Sequence, residues 1–223
     1  MRIILLGPPG SGKGTQGDLI EKKYNLPKIS TGDLLRQAVQ GKTPLGEKAE
    51  AQMKRGGLVS DEVVEELVRE RISGEDCQRG YVLDGFPRNI SQAEILEKID
   101  GKRPEIAIEI KIDEEELVRR LEARRICSQC GAIYNLNLRK PRQQGVCDIC
   151  KGVLIQREDD TPSVIRERMR IFEEETRKLR DFYIRKRVYY SVDGSEKIET
   201  LFGRISSILD TKMGKFKENE VRR

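Results

Sequence analysis

The chain has 223 residues, of which 36% are hydrophobic and 36% are charged. This length is enough for one domain, or for one domain with insertions, and the composition is that of a globular protein. No apolar run approaches the roughly 20 residues of a membrane span, so we expect no membrane association. The net charge is +5, and residues 211–223 carry five Lys or Arg against two Glu. So small an excess of positive charge is only a weak argument for nucleic acid as a partner.

The first residues form a predicted strand. They lack the signal-peptide pattern of a basic region followed by a longer apolar stretch and a cleavage site. We therefore expect a cytoplasmic protein, in which the five cysteines would stay reduced. We also expect a monomer.

A glycine-rich segment, residues 7–15, follows a predicted strand at residues 2–6 and precedes a predicted helix at residues 16–24. In this setting the match to G-x-x-x-x-G-K predicts a loop that binds phosphate through its backbone N–H groups and the helix N-terminus. Lys13 would reach the outer phosphates. Gly14 stands where most such loops have the Ser or Thr that holds magnesium, and the hydroxyl comes next, at Thr15. The metal therefore needs another ligand. An ordinary glycine-rich turn is the simpler alternative.

Further apolar segments alternate with helical patterns along the chain. Strands are predicted at residues 2–6, 27–30, 81–83, 105–112 and 188–192. Helices are predicted at residues 16–24, 34–40, 44–54, 60–72, 91–98, 113–125, 161–187 and 198–209. This alternation predicts an α/β fold with a doubly wound parallel sheet, whose ligand lies at the carboxyl ends of the strands.

We divide the chain by changes in composition and pattern. The predicted core comprises residues 1–30, 74–125 and 161–210. Residues 31–73 form a helical insertion, and residues 126–160 form a small module with four cysteines. The tail, residues 211–223, is charged and lacks periodicity, so we expect it to be disordered.

Asp84 ends an apolar strand, where a carboxylate is costly unless it serves a partner. In a phosphate-binding α/β protein this place suits the acid that orders magnesium. It would replace the hydroxyl missing at position 14. A plain turn cap is the alternative.

Six arginines fall at loop edges or on helices that border the predicted cleft: Arg36, Arg88, Arg120, Arg124, Arg157 and Arg168. Planar, permanently charged groups of this kind suit the spread negative charge of a phosphoryl group in transfer. Arg120 and Arg124 are four residues apart and are predicted to share one helical face. Any single one of these arginines could instead be a solvated surface residue.

Four cysteines form two C-x-x-C pairs, Cys127 with Cys130 and Cys147 with Cys150, separated by sixteen residues. This spacing is typical of a zinc ribbon with a full set of thiolate ligands, and it predicts a structural zinc ion. Redox pairs are the alternative. A segment this short has little core, so metal binding would supply its stability.

The chain resembles adenylate kinase, in the long form with a zinc-bearing lid. The matching segments are residues 7–15, 29–33, 83–88 with Gln92, Arg124-Arg125 and residues 157–160, in the family's order over roughly residues 1–210. The glycine after Lys13 is also the family's habit.

The resemblance implies reversible phosphoryl transfer from Mg·ATP to AMP, giving two ADP, and a role in adenine nucleotide metabolism and energy-charge homeostasis. It implies that ATP contacts Gly10, Ser11, Gly12, Lys13, Gly14, Thr15, Arg120, Arg124, Ile133, Tyr134 and the segment around Glu196. It implies that AMP contacts Thr31, Arg36, Gly57, Leu58, Val59, Gly85, Phe86, Pro87, Arg88 and Gln92.

The resemblance further implies that Arg157 and Arg168 bridge to the transferring phosphate beside Lys13, Arg88 and Arg124. Asp84, Asp159 and Asp160 would order magnesium and water. Residues 31–73 would be the AMP-binding part, and residues 126–160 would be a lid that keeps water out of the site.

Two alternatives stay open. Another nucleoside monophosphate kinase could use the same scaffold, and the donor could be GTP, although the Gln92 amide favours adenine. The cysteine module and the basic tail could also mark an ATP-dependent protein that binds nucleic acid. The chain has no Trp and only five Phe to stack on bases, which argues against this second alternative.

Overall fold

The computed structural model describes residues 1–101 and 103–221, without the side chains of residues 215–221. The strands in this part of the chain are β1 (Arg2–Leu6), β2 (Lys28–Ser30), β3 (Tyr81–Asp84), β4 (Glu105–Lys111), β5 (Arg124–Cys127), β6 (Ile133–Asn135), β7 (Leu154–Ile155) and β8 (Tyr189–Asp193). The helices are α1 (Lys13–Tyr24), α2 (Thr31–Gln40), α3 (Pro44–Arg55), α4 (Asp61–Ile72), α5 (Ile90–Asp100), α6 (Glu114–Glu122), α7 (Pro162–Ile171), α8 (Arg177–Arg185) and α9 (Ile198–Val221).

Five strands form one parallel sheet in the order β2-β3-β1-β4-β8. The three remaining strands form a small antiparallel sheet, β6-β5-β7, within the cysteine module. Parallel strands joined by helices require both faces of the sheet to be covered. The predicted α/β fold with a doubly wound parallel sheet is confirmed.

β1 shows how both faces of the sheet are buried. Ile4 and Leu6 point into a core that contains side chains of α2, α4, α5 and α8. Ile3 and Leu5 point the other way, into a core built with α1 and α9. Because successive side chains of a strand alternate, the unbroken apolar run serves two cores at once.

Two helices differ from their predicted limits beside the cavity described below. α6 ends at Glu122, and Arg124 opens β5, where it pairs with Asn135. Arg120 and Arg124 therefore do not share a helical face, because the backbone after Ala123 joins an antiparallel ladder. The helix predicted at 161–187 is divided into α7 and α8 by a π-helical turn, Phe172–Thr176.

The tail also differs from the prediction. α9 continues through Val221 instead of ending near Leu209. Met213 packs against the core of the α1 and α9 face, and the ammonium of Lys212 lies 5.1 Å from the centre of the Tyr190 ring. These contacts hold the helix past its predicted end. Arg222 and Arg223 lie outside the described residues. Over the part of the chain that is described, no helix is both long and apolar enough to cross a membrane.

We expect Gly46→Ala to lower the free energy of unfolding by about 1–3 kcal/mol through overpacking. A Cβ at Gly46 in α3 would lie 2.2 Å from the Ala38 carbonyl oxygen, which is backbone and cannot move aside alone. The matched control is Gly203→Ala in α9, where a Cβ meets nothing within 4 Å. That change should raise stability by about 0.5–1 kcal/mol. Urea denaturation measures both changes, and a Gly46→Ala protein as stable as the unmutated chain would contradict this packing.

Candidate active site

A cavity of about 600 Å³ opens at the carboxyl ends of the parallel strands. The loops after β1, β2 and β3 all line it, as the fold class predicts. The cysteine module and the helices α6 and α7 close its other walls. The cavity therefore lies among the core, the helical insertion and the cysteine module.

The glycine-rich loop forms one wall of the cavity and turns directly into α1 at Lys13. Gly12 has φ 102°, a left-handed conformation that glycine adopts without steric cost. The ammonium of Lys13 donates to the carbonyl oxygens of Gly7 and Pro8, at 2.7 and 2.8 Å. The loop thus places a cation beside the N–H groups of a helix N-terminus, an arrangement that suits an anion.

The electrostatic surroundings of Lys13 are unfavourable to its charge. Burial lowers the pKa of Lys13 to about 8; the Asp84 carboxylate opposes this shift, and Arg88, Arg168 and Arg124 add to it. An anion in the cavity would reverse the effect, because a negative charge stabilises the protonated amine.

Gly14 lies close to both the cysteine module and the Asp84 carboxylate. A Cβ at Gly14 would lie 3.3 Å from Cδ1 of Ile133 and 3.4 Å from Oδ2 of Asp84. The cysteine module thus packs directly on the phosphate loop through Ile133, with the Asp84 carboxylate beside it. Asp84, which we predicted to order magnesium, therefore lies beside the glycine-rich loop at position 14.

The six predicted arginines all line the cavity. Burial lowers the pKa of Arg88, and it lowers the pKa of both Arg157 and Arg168 to about 10. In each case nearby arginines lower the pKa further. Nearby carboxylates raise it, but they offset only part of the lowering. Such a gathering of desolvated cations is costly unless an anion occupies the cavity.

Buried polar atoms without a hydrogen-bond partner concentrate at the same place. Among the described residues they are Ser11 Oγ, Gln16 Oε1, Arg157 Nε and Ser206 Oγ. The first three belong to residues that line the cavity. Since buried polar groups are nearly always paired, these atoms indicate a wall shaped for a polar ligand.

Asp159 and Asp160 hold the arginines. Asp160 is fully buried and accepts hydrogen bonds from Arg124, with Nε at 2.7 Å, and from Arg168 at 3.4 Å. Arg168 also pairs with Asp159 at 3.0 Å. Asp159 lines the cavity, whereas Asp160 lies behind the arginines. The expected role of Asp160 in ordering magnesium therefore does not fit its position, because its carboxylate is already committed to two guanidinium groups.

The predicted AMP-contacting residues gather at the end of the cavity formed by α2, α4 and the loop after β3. Thr31 Oγ1 donates to the Gly85 carbonyl at 2.9 Å, and Arg88 Nε donates to the same carbonyl at 2.9 Å. The residues of this set that line the cavity are Thr31, Arg36, Gly57, Leu58, Val59, Gly85, Pro87, Arg88 and Gln92. Phe86 is an exception. It is fully buried in the apolar core that also contains side chains of α2 and α4.

Two residues predicted to contact ATP have competing structural contacts. The Tyr134 hydroxyl accepts from the Asp148 backbone N–H at 2.8 Å and lies 3.5 Å from Cys147 Sγ, so its side chain belongs to the core of the cysteine module. Glu196 pairs with Arg204 at 2.7 Å. Both residues still line the cavity, as does neighbouring Gly194.

Sequence reasoning missed several residues of the cavity wall. They come from the segment after β6 and from the π-helical turn: Asn135, Asn137, Leu138, Arg139, Phe172 and Thr176. Asn135, Asn137, Leu138 and Arg139 lie in a segment of the cysteine module that carries no motif, so no sequence signal could have revealed them. The last two depend on the π-helical turn, which the regular helical pattern did not predict.

The four cysteines meet at one point. Their sulfur atoms all lie within 4.8 Å of one another, with Cys127 and Cys150 at 3.3 Å and Cys130 and Cys147 at 3.6 Å. Tetrahedral zinc with Zn–S bonds of about 2.3 Å requires sulfurs about 3.8 Å apart, so the cluster fits the ion. Burial raises the pKa of the Cys147 thiol, but backbone N–H groups of Cys150 and Ile149 and the Tyr134 hydroxyl outweigh it and lower this pKa to about 6.

Comparison with known proteins agrees with this geometry. A sequence model of the family described as adenylate kinase matches residues 5–188. The chain is 44% identical over 213 residues to an adenylate kinase of Clostridium novyi, covering 94% of this chain and 99% of the relative. It is 45% identical to an adenylate kinase of Archaeoglobus fulgidus, covering 94% of this chain and 98% of the relative. These comparisons confirm the resemblance inferred from the motifs: the chain belongs to the adenylate kinase family, the nucleoside monophosphate kinases that convert ATP and AMP into two ADP.

Proposed function

We propose that the cavity binds ATP and AMP end to end, with their phosphates meeting between Lys13 and the arginines. One observation carries this proposal. Three cavity-lining residues keep buried polar atoms without partners in the described part of the chain, within a wall that holds an excess of desolvated positive charge. Phosphates would pair the charges and accept hydrogen bonds from the two unpartnered donors, Ser11 Oγ and Arg157 Nε, whereas Gln16 Oε1 can only accept.

The donor nucleotide lies on the phosphate-loop side in this proposal. Its phosphates contact the loop backbone and Lys13, and Arg124 reaches them from β5. Its base lies near Arg120, Ile133 and the backbone around Glu196. The residues assigned to ATP are Gly10, Ser11, Gly12, Lys13, Gly14, Thr15, Arg120, Arg124, Ile133, Tyr134 and Glu196.

AMP lies on the side of α2 and α4. Its phosphate contacts Arg36 and Arg88, and its base contacts Gln92 and the backbone of residues 57–59. Arg157 and Arg168 lie between the two nucleotides and stabilise the phosphoryl group in transfer. The residues assigned to AMP are Thr31, Arg36, Gly57, Leu58, Val59, Gly85, Pro87, Arg88, Gln92, Arg157 and Arg168.

Magnesium enters with ATP as part of the kinase substrate, and it neutralises charge on the transferring phosphate. Asp84 is the residue that fits it best, because its carboxylate lies beside the loop position from which the usual hydroxyl is missing. Asp159 lies near but already pairs with Arg168. Asp160 acts only through the arginines that it holds.

Transfer then requires position and charge rather than a nucleophilic side chain. The AMP phosphate oxygen attacks the terminal phosphate of ATP, the bond to the bridging oxygen breaks, and the arginines compensate the charge. Water must be excluded, and adenylate kinase lids are a known instance of such closure. We assign residues 126–160 to the lid and residues 31–73 to the AMP-binding part. The close approach of Gly14 to Ile133, and of Gly56 to Val164, is consistent with a closed arrangement of both.

We assign a structural zinc ion to Cys127, Cys130, Cys147 and Cys150, which would hold the two cysteine turns of the lid together. The fit of the four sulfurs to a tetrahedral ion supports this assignment. We also propose that the enzyme works as a cytoplasmic monomer in adenine nucleotide homeostasis.

Nucleotide affinity should depend on the protonation of Lys13. Since the pKa of Lys13 is lowered to about 8 and phosphate binding favours the charged amine, the affinity for ATP should fall as the pH rises above that value. The fall should approach about tenfold per pH unit. Calorimetric titration across this range measures it. In Lys13→Met the affinity should be lower and the slope lost, whereas Lys48→Met, an exposed lysine of α3, should keep the slope. An unchanged slope in Lys13→Met would contradict this role.

Gln92→Ala should weaken AMP far more than ATP. If the Gln92 amide pairs with the adenine edge of AMP, its loss should raise KM for AMP by about tenfold while KM for ATP stays within about twofold. Steady-state kinetics with each substrate varied in turn measures both constants. Equal losses for the two nucleotides would refute the assignment.

The purified protein should contain one zinc ion per chain. Elemental analysis should find that Cys147→Ser abolishes it and that Cys77→Ser, a cysteine outside the cluster, retains it. Chelation should lower the stability of the lid before it changes the affinity for AMP, because the residues assigned to AMP, apart from Arg157, lie outside the lid. A protein without metal whose four thiols all react with a thiol reagent would contradict the assignment.

A further inference from the structure

The side-chain amide of Gln92 is held at both of its polar atoms. Oε1 accepts from the backbone N–H of Arg88 at 2.8 Å, and Nε2 donates to Oδ1 of Asp61 at 2.8 Å. Gln92 is 2% exposed and lines the cavity. One lone pair of Oε1 and one N–H of Nε2 remain for a ligand.

These two partners allow only one orientation of the amide. A backbone N–H can only donate, and a carboxylate oxygen accepts. Rotating the amide by half a turn would set Nε2 against the N–H of Arg88 and Oε1 against the carboxylate of Asp61. Each contact would become a repulsion between like groups, and buried polar atoms would lose their partners.

Asp61 is itself tied into the wall. It is the first residue of α4, and its Oδ1 also accepts from Nδ2 of Asn89 at 3.3 Å. Asn89 caps α5 by accepting from the backbone N–H of Gln92 at 2.8 Å. One carboxylate therefore connects the start of α4 with the helix that carries Gln92.

We propose that Asp61 is a positioning residue that sets the acceptor base by fixing the orientation of the Gln92 amide. This inference rests on the proposed contact of Gln92 with AMP. Adenine presents a bare ring nitrogen that accepts and an adjacent amino group that donates, and the fixed amide offers the matching N–H and oxygen. A 6-oxo purine presents the opposite pattern, an N–H beside a carbonyl, and would match only the rotated amide.

The test compares AMP with inosine monophosphate, which differs from AMP by a 6-oxo group in place of the 6-amino group. Asp61→Ala leaves Nε2 without its anchor and should lower the ratio of kcat/KM for AMP to that for inosine monophosphate by about tenfold. Asp61→Asn keeps an oxygen acceptor and should restore most of the ratio. KM for ATP should stay within about twofold of its original value, because none of the residues assigned to ATP is changed.

Glu62→Ala is the matched control, since Glu62 is exposed in the same first turn of α4 and shares its effect on the helix N-terminus. It should leave the ratio unchanged. Asp61→Ser, whose hydroxyl is too short to reach Nε2, takes the place of Asp61→Ala if the latter does not fold.

The outcomes separate two claims. If Gln92→Ala abolishes the preference for AMP while Asp61→Ala and Asp61→Ser keep it, the inference about Asp61 is wrong and the role of Gln92 stands. If Gln92→Ala keeps the preference, the role of Gln92 is wrong and the inference about Asp61 falls with it. A drop of kcat/KM for both monophosphates by the same factor in the Asp61 variants would indicate a merely structural effect and would also overturn the inference.

Discussion

The structure depends on a cavity wall that carries more buried positive charge than it can pair by itself. Burial lowers the pKa of Lys13, Arg88, Arg157 and Arg168, and the side chains that would neutralise them do so only in part. Removing cations from water is unfavourable, so such a wall is stable only because the rest of the fold holds it in place. Phosphate oxygens in the cavity would relieve this repulsion. The same constraint accounts for Asp160, whose buried carboxylate fixes two arginines and leaves their remaining donors for a ligand.

The fold supplies the rigid support that this charge requires. β1 is apolar on both faces and leads straight into the phosphate loop, while β3 brings Asp84 to the same edge of the sheet. Since the carboxyl ends of parallel strands share one edge, loops far apart in sequence meet there. Elements outside the sheet complete the wall. Ile133 brings the cysteine module against Gly14, and α7 brings Arg168 beside Gly56. A small module without a large core can do this only if something other than apolar burial keeps its shape, and the meeting of four sulfurs shows where a metal ion would act.

Much of this arrangement could be predicted from the sequence, because local patterns determine it. The phosphate loop, the apolar strands, Asp84 and the two cysteine pairs are each contiguous or regularly spaced, and the parallel sheet brings them together. The departures occur where tertiary contacts override a local pattern. Arg124 leaves the helix predicted for it because β5 pairs with β6. Phe86 turns into the core although its neighbours face the cavity. Nothing in the sequence around Asp61 indicated that it holds the amide of Gln92, since the two residues are 31 positions apart and meet only across α4 and α5.

The central claim is that the cavity transfers a phosphoryl group to AMP and protects it from water. Phosphorus NMR of the purified protein with Mg·ATP, to which AMP, GMP, CMP and UMP are added in turn, tests this claim most directly. We expect rapid formation of ADP with AMP alone and negligible loss of ATP without an acceptor. Faster turnover with another monophosphate would contradict the assignment of the acceptor site. Loss of ATP that is indifferent to every acceptor would contradict the claim itself, because it would show that the cavity admits water in place of a second nucleotide.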